Sequence, residues 1–171
     1  MDEYQSRYLE HQDKKKRTLM KIIKDRHSTR IFSDLDVSDY TIRVVLEAVG
    51  LCPSSCDRKA IDTMVISDRD DKALLGGLLV GGVGWVHRAP KIILLFADGI
   101  AYKENIPYMP YLDIGVVIQQ IYLVTEALSL KGCYINPNIR EKNIKHFREY
   151  FDVPESYIFG GAFAIGQDKK D

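Results

Sequence analysis

The residues best equipped for chemistry come early, in Arg26-His27-Ser28-Thr29-Arg30-Ile31-Phe32. Two guanidiniums, an imidazole and two hydroxyls fall within five positions. In an extended segment alternate side chains share a face, so Arg26, Ser28 and Arg30 project together. Two planar, permanently charged forks beside a hydroxyl suit a phosphate or a polyhydroxyl ligand. A solvated basic loop can have the same composition, so the segment needs a second half elsewhere in the chain.

Other chemistries lack parts. Ser54 and Ser55 have no evident His/Asp partner, which argues against a hydrolase. Cys52 and Cys56 stand four apart without a matching His/Cys pair, so no metal site is expected. Three cysteines are an odd number and are read as free thiols. Gly76, Gly77, Gly81, Gly82 and Gly84 do not follow a strand with the spacing of a phosphate-binding loop. They are read as a flexible turn leading to Trp85.

Helices and strands must position these groups. Residues 4–24 read as a helix with a charged middle that either frays or packs on another subunit. Ser38 can cap a helix running to Val49, whose Ile42, Val45, Leu46 and Val49 recur at helical spacing. Gly50 and Pro53 stop it. Strands are expected at 63–66, 91–96, 133–135 and 157–159, with short helices near 70–79 and 140–150. The run 91–96 is apolar without alternation, the pattern of a strand covered on both faces. Residues 112–131 read as the most apolar helix, ended by Gly132. Apolar nearly all round implies burial nearly all round, most easily at a subunit interface. The whole reads as α+β, one domain over residues 1–171, with 1–18 as a helical extension.

The bulk numbers exclude several classes. Lys+Arg and Asp+Glu are both 24, so no basic surplus points to nucleic acid. With 46% hydrophobic and 28% charged residues the chain reads as soluble. The N-terminus lacks the apolar core of a signal peptide, and the longest apolar run carries Asp113, Gln119, Gln120 and Glu126. A cytoplasmic protein with no membrane span is expected.

The order of motifs adds more. The RxSxRxF segment, an amphipathic helix and Pro53-Ser54-Ser55-Cys56-Asp57-Arg58-Lys59 together resemble the FMN-dependent nitroreductase family. Tyr111-Leu112-Asp113-Ile114-Gly115 opening a long apolar helix, Lys131-Gly132-Cys133-Tyr134, and Gly160-Gly161-Ala162-Phe163-Ala164-Ile165-Gly166 follow in the family's order. The resemblance covers about residues 19 to 167. It implies a mixed, mostly antiparallel sheet flanked by helices in an intertwined homodimer. FMN would lie at the interface, with NAD(P)H as reductant. It also implies ping-pong hydride transfer to nitroaromatics, quinones or similar flat acceptors. A dehalogenase or dehydrogenase of the same family, or a non-catalytic flavin-binding dimer, are the competing readings.

Within that resemblance, Arg26, His27, Ser28 and Arg30 match residues that hold the FMN phosphate and ribityl chain. Pro53, Ser54 and Ser55 match a loop of the opposite subunit flanking the isoalloxazine ring. Asp57 stands where the family usually has Asn, and Lys59 where it often has Gln. Asp57 is expected to pair locally or to meet a flavin N–H. Lys59 is expected to stabilise charge that develops on reduction. Asn136 and Pro137 would line the flavin's back face, and Gly160 and Gly161 would permit close approach or mark a bulge. Lys169 and Lys170 are the basic residues left to reach the phosphate. Few residues follow them, so the N-terminal segment is expected to wrap the partner instead. Trp85, His87, Tyr108 and Tyr111 are candidates to wall an acceptor pocket.

Overall fold

In the computed structural model, which describes residues 3–102 and 106–169, every residue from 91 to 97 is buried. Those residues belong to strand β2 (Lys91–Asp98). Its Ile92, Leu94 and Phe96 face one core and its Ile93 and Leu95 the other. That is why the run shows no alternation: both faces are covered. β2 lies inside a four-stranded sheet ordered β1-β2-β4-β3, where β1 is Ile61–Ile66, β3 is Lys131–Ile135 and β4 is Tyr157–Gly166. All three strand pairings are antiparallel. Five helices complete the α+β architecture: α1 (Glu3–Asp25), α2 (Asp39–Gly50), α3 (Arg69–Leu78), α4 (Met109–Ala127) and α5 (Glu141–Tyr150).

One layer is α2 and α4. Ile42, Val45 and Val49 from α2, and Val117 and Ile121 from α4, pack with Ile93, Leu95, Phe163 and Ile165. The other layer holds α3 and α5, with Leu75, Leu78 and Phe147 against Ile92, Leu94 and Phe96. α2 begins as its sequence dictates: the Ser38 hydroxyl accepts the amide of Thr41 at 3.1 Å.

α4 differs from expectation at both ends and on one face. It starts at Met109 and ends at Ala127, four residues short of Lys131. The chain then reverses through Ser129, whose φ is 59°, and the Leu130 amide reaches back to the Thr125 carbonyl. Gly132 is therefore not the stop; it lies in β3. A Cβ there would come within 2.2 Å of the Phe163 ring and 2.6 Å of the Ala164 carbonyl. The glycine exists for packing. Burial is also one-sided: Asp113, Ile114, Val117, Ile121 and Thr125 are buried, while Tyr108, Leu112 and Val116 form an exposed apolar stripe.

α1 runs almost entirely exposed and meets the body near its C-terminal end. Lys131 secures that end, bonding both the Asp25 carbonyl and the Glu126 carboxylate. No helix of the described residues is long and apolar enough to cross a membrane.

Two outcomes follow from the backbone and the thiols. Gly161 has φ 105°, and a Cβ would sit 2.4 Å from the Ile135 carbonyl. Gly77, on the exposed face of α3, has nothing within 4 Å. Gly161→Ala should therefore destabilise by about 2–4 kcal/mol, and Gly77→Ala should stabilise by about 0.5–1 kcal/mol. Urea denaturation of the two variants checks the opposite signs. Cys52 and Cys133 are buried and Cys56 is exposed, and burial pushes the Cys52 thiol up. Titration with a disulfide reagent should modify Cys56 in the native protein and the other two only on unfolding.

Candidate functional site

Residues 26–33 act as an irregular strand laid across the end of the sheet. Ser28 bridges to Gly132 in parallel and Phe32 to Asp168 in antiparallel fashion. The Thr29 amide donates to the Gly132 carbonyl at 3.2 Å, and the Ser33 amide to that of Gln167 at 2.9 Å. This extended path gives the side chains the alternation read from the sequence. Arg26 and Ser28 turn to α4: the Arg26 guanidinium lies 5.0 Å from the Tyr122 ring centre, and the Ser28 hydroxyl is 3.0 Å from the Tyr122 hydroxyl. Arg30 stacks on Trp85 at 5.7 Å.

His27 and Thr29 turn the other way. The Thr29 hydroxyl donates to the Asp168 carboxylate at 2.6 Å, and His27 Nε2 lies 3.6 Å from the same carboxylate. His27 thus faces the tail, away from Arg26 and Ser28. Lys169 is exposed and its backbone amide bonds the Ile31 carbonyl. Lys170 lies outside the described residues.

The charge balance differs sharply between the two sides. Asp168, Asp25 and Glu126 are engaged with His27, Lys21 and Lys131. Among the described residues neither Arg26 nor Arg30 has a carboxylate partner; each is held by an aromatic face instead. A planar cation with no carboxylate partner among the described residues has the chemistry to take an external anion.

The loop of residues 53–60 follows α2 and is tied to α4. Asp113 accepts the Ser55 amide at 3.0 Å and its hydroxyl at 2.8 Å, and the Tyr102 hydroxyl at 3.0 Å. Burial, then the bond to Asp113, holds the Tyr102 phenol above its ordinary range, so it stays a donor. Ser54 Oγ accepts the Lys59 amide at 2.9 Å. Asp57 lies 3.3 Å from Lys59, whose ammonium also donates to the Cys52 carbonyl at 2.6 Å. The Asp57 carboxylate is thus paired locally, and the Lys59 ammonium is directed into its own loop. Pro53 is exposed.

The remaining assignments divide. Gly160 and Gly161 sit where the β2–β4 register shifts between Leu95 and Phe96. The space their missing side chains leave is taken by Ile114 and Tyr134, so the bulge reading describes them. The Tyr134 hydroxyl donates to the Gly160 carbonyl at 2.7 Å. Asn136 and Pro137 form an exposed turn after β3. The proposed aromatic wall is not one surface. Tyr111 lines a cavity of about 340 Å³ with Pro137, Ile139, Phe147, Tyr157 and Phe159, which neither Trp85 nor Tyr108 lines. Trp85 belongs to the Arg30 side. His87 is exposed, with its ring against Gly76.

Tyr122, Asp168 and the role of Asp113 were not anticipated. Asp113 had a signal: it shares a helical face with Val117 and Ile121, and a charge in an apolar stripe must find partners. Tyr122 and Asp168 meet residues 94 and 139 positions away, which no local pattern reports.

The nitroreductase family model matches residues 23–83, which span both the arginine segment and the 53–60 loop. A relative from Archaeoglobus fulgidus, provisionally named NADH dehydrogenase/NAD(P)H nitroreductase, is 26% identical over 155 residues, 89% of this chain and 87% of its own length. An FMN-dependent nitroreductase of Clostridium difficile superposes with a TM-score of 0.77 at 24% identity, covering 88% of this chain and 87% of that one. A nitroreductase-like structure from Desulfovibrio desulfuricans, determined in complex with FMN, gives 0.76 at 25% identity, covering 89% and 87%. The family match across both loops, the relatives aligned over most of the chain and the common fold make this chain similar to the nitroreductase family.

Proposed function

We propose that this protein is an FMN-dependent NAD(P)H oxidoreductase that reduces flat acceptors such as nitroaromatics and quinones by a ping-pong cycle. The observation that carries the reading is the pair of guanidiniums that have no carboxylate partner among the described residues, Arg26 and Arg30, with the Ser28 hydroxyl between them in sequence. FMN, when bound, supplies a ring that accepts and returns a hydride. The chain's own task is to bind and orient it. Arg26, Ser28 and Arg30 hold the phosphate and ribityl end. The Tyr122 ring keeps Arg26 in place through its face and Ser28 through its hydroxyl. Lys169, whose backbone amide bonds the Ile31 carbonyl, adds a third cation next to the clamp. Asp57, neutralised by Lys59, brings no uncompensated negative charge to a ring that gains electrons. The relative from Bacillus subtilis named FMN reductase [NAD(P)H], 29% identical over 80 residues, supports the cofactor and the reductant.

A homodimer completes the site in this reading. The apolar stripe of Tyr108, Leu112 and Val116 on α4, and Leu19, Met20 and Ile23 on α1, lie exposed in the single chain. A second copy covering them would bring its 53–60 loop to the flavin ring, and the tyrosine-lined cavity would receive the acceptor. In this reading α1 packs along the partner.

Three measurements test this. Purified protein should be yellow, or become so with FMN, and bleach with NADH or NADPH under anaerobic conditions; protein that cannot be loaded refutes the flavin reading. Arg26→Ala and Arg30→Ala should each weaken FMN binding at least tenfold, roughly the 1.4 kcal/mol or more of a lost charge-assisted contact, while the fold and the mass in solution stay unchanged. Full flavin occupancy in either variant would show that the clamp lies elsewhere. Deleting residues 1–17 should loosen the dimer, and light scattering on the truncated chain reads that directly.

A further inference from the structure

The loop of residues 53–60 is held in a backbone path it would not adopt alone. Cys56, Asp57 and Lys59 have φ values of 52°, 54° and 52°. Three non-glycine residues in the left-handed region within four positions are each disfavoured by Cβ contacts. Such conformations persist where surrounding contacts over-determine them, and they gather at ligand sites.

Those contacts form a closed circuit. Asp113 accepts from the Ser55 amide with both oxygens, at 3.0 and 3.1 Å, and from the Ser55 hydroxyl at 2.8 Å. It also accepts the Tyr102 hydroxyl at 3.0 Å. The Tyr102 ring lies 5.7 Å beneath the Arg58 guanidinium. Arg58 in turn donates to the Ser55 carbonyl at 2.7 Å. Both groups of the Ser55 backbone are thus engaged, one by the carboxylate and one by the arginine. Asp113 is only 5% exposed, so its carboxylate oxygens depend on these donors for their hydrogen bonds. The Ser54–Lys59 contact closes the loop above this circuit.

We propose that Asp113 is a positioning residue for the flavin ring: through Ser55 and Tyr102 it sets the 53–60 loop, without touching the flavin itself. This rests on the reading of that loop as part of an FMN site. The carboxylate is the group that suits this place. An ionised carboxylate only accepts, and every group aimed at Asp113 is a donor. Asn has the same shape but would point N–H groups at one of those donors. Asp113→Asn should therefore release the loop with little change in volume.

The test compares wild type, Asp113→Asn, Tyr102→Phe and Arg26→Ala. Two readouts are taken: the affinities for FMN and for riboflavin by fluorescence quenching, and the midpoint potential of the bound flavin. Riboflavin lacks the phosphate, so it isolates the ring end of the site. Asp113→Asn should weaken FMN and riboflavin by the same factor, about tenfold, and make the midpoint potential more negative. Tyr102→Phe should act in the same direction by about threefold, as one bond of the circuit is lost. Arg26→Ala should abolish the preference for FMN over riboflavin and leave the potential unmoved. A purely structural role would lower the melting temperature of Asp113→Asn but leave both affinities and the potential at wild-type values, and that result overturns the proposal. If Asp113→Asn does not fold, Tyr102→Phe with unchanged affinities and potential overturns it instead. Wild-type protein that binds neither flavin overturns the flavin reading, and this proposal with it.

Discussion

Helix α4 is the member on which both halves of the site depend. Its buried stripe fixes it against β2 and β4, and two polar side chains on it reach out to irregular backbone. Tyr122 holds the arginine segment, and Asp113 holds the 53–60 loop. They stand nine residues apart, about 13–14 Å along the axis at 1.5 Å per residue. Neither loop has regular structure of its own to define its place. The 53–60 loop takes its position from Asp113, and the arginine segment from Tyr122 together with its backbone bridges to the ends of β3 and β4, so the docking of α4 on the sheet sets how the two halves relate. That docking in turn depends on Gly132 and Gly160, whose missing side chains leave room for Phe163 and Ile114.

The two halves manage charge in opposite ways. Asp113 is buried, and donors saturate it. The arginines carry permanent charge, lie partly or fully in solvent, and rest on aromatic faces that do not neutralise them. A buried carboxylate without donors would be strongly destabilising. An exposed guanidinium without a carboxylate is hydrated and costs the fold little. The protein can therefore leave the arginines open for an anion. The local acids do not compete for them, because Lys21, Lys131 and His27 engage Asp25, Glu126 and Asp168.

Much of this was legible in the sequence where the signal is local. α2 follows from its cap and its spacing, and β2 from its unbroken apolar run. The alternation of residues 26–30 predicted that Arg26, Ser28 and Arg30 would share a face; Arg26 and Ser28 both meet Tyr122 and part from Thr29, whereas Arg30 stacks on Trp85. The reading failed where a residue's role is set by something distant. Gly132 looked like a helix stop because it follows an apolar run, yet its reason is the Phe163 ring across the sheet. The true stop uses Ser129 in a left-handed conformation, which a non-glycine residue does not announce. Trp85 was grouped with Tyr108 and Tyr111 because all are aromatic; only packing shows that it supports Arg30.

The uncovered face of α4 links these points. A helix apolar on all sides was expected to be buried on all sides, and within one chain it is not: Tyr108, Leu112 and Val116 remain in solvent on the face away from Ile114 and Val117. Covering such a stripe removes apolar area from water at about 25 cal/mol per Å², so association is favoured. α4 would then have a sheet on one side and a second copy on the other. Any group that α4 positions would be fixed relative to both, since a helix packed on two faces cannot shift toward either. An anion clamp held by Tyr122 of one copy and a ring-flanking loop held by Asp113 of the other would then share one frame through the paired α4 helices. That is the condition under which two loops from different parts of the sequence can act on a single flat ligand.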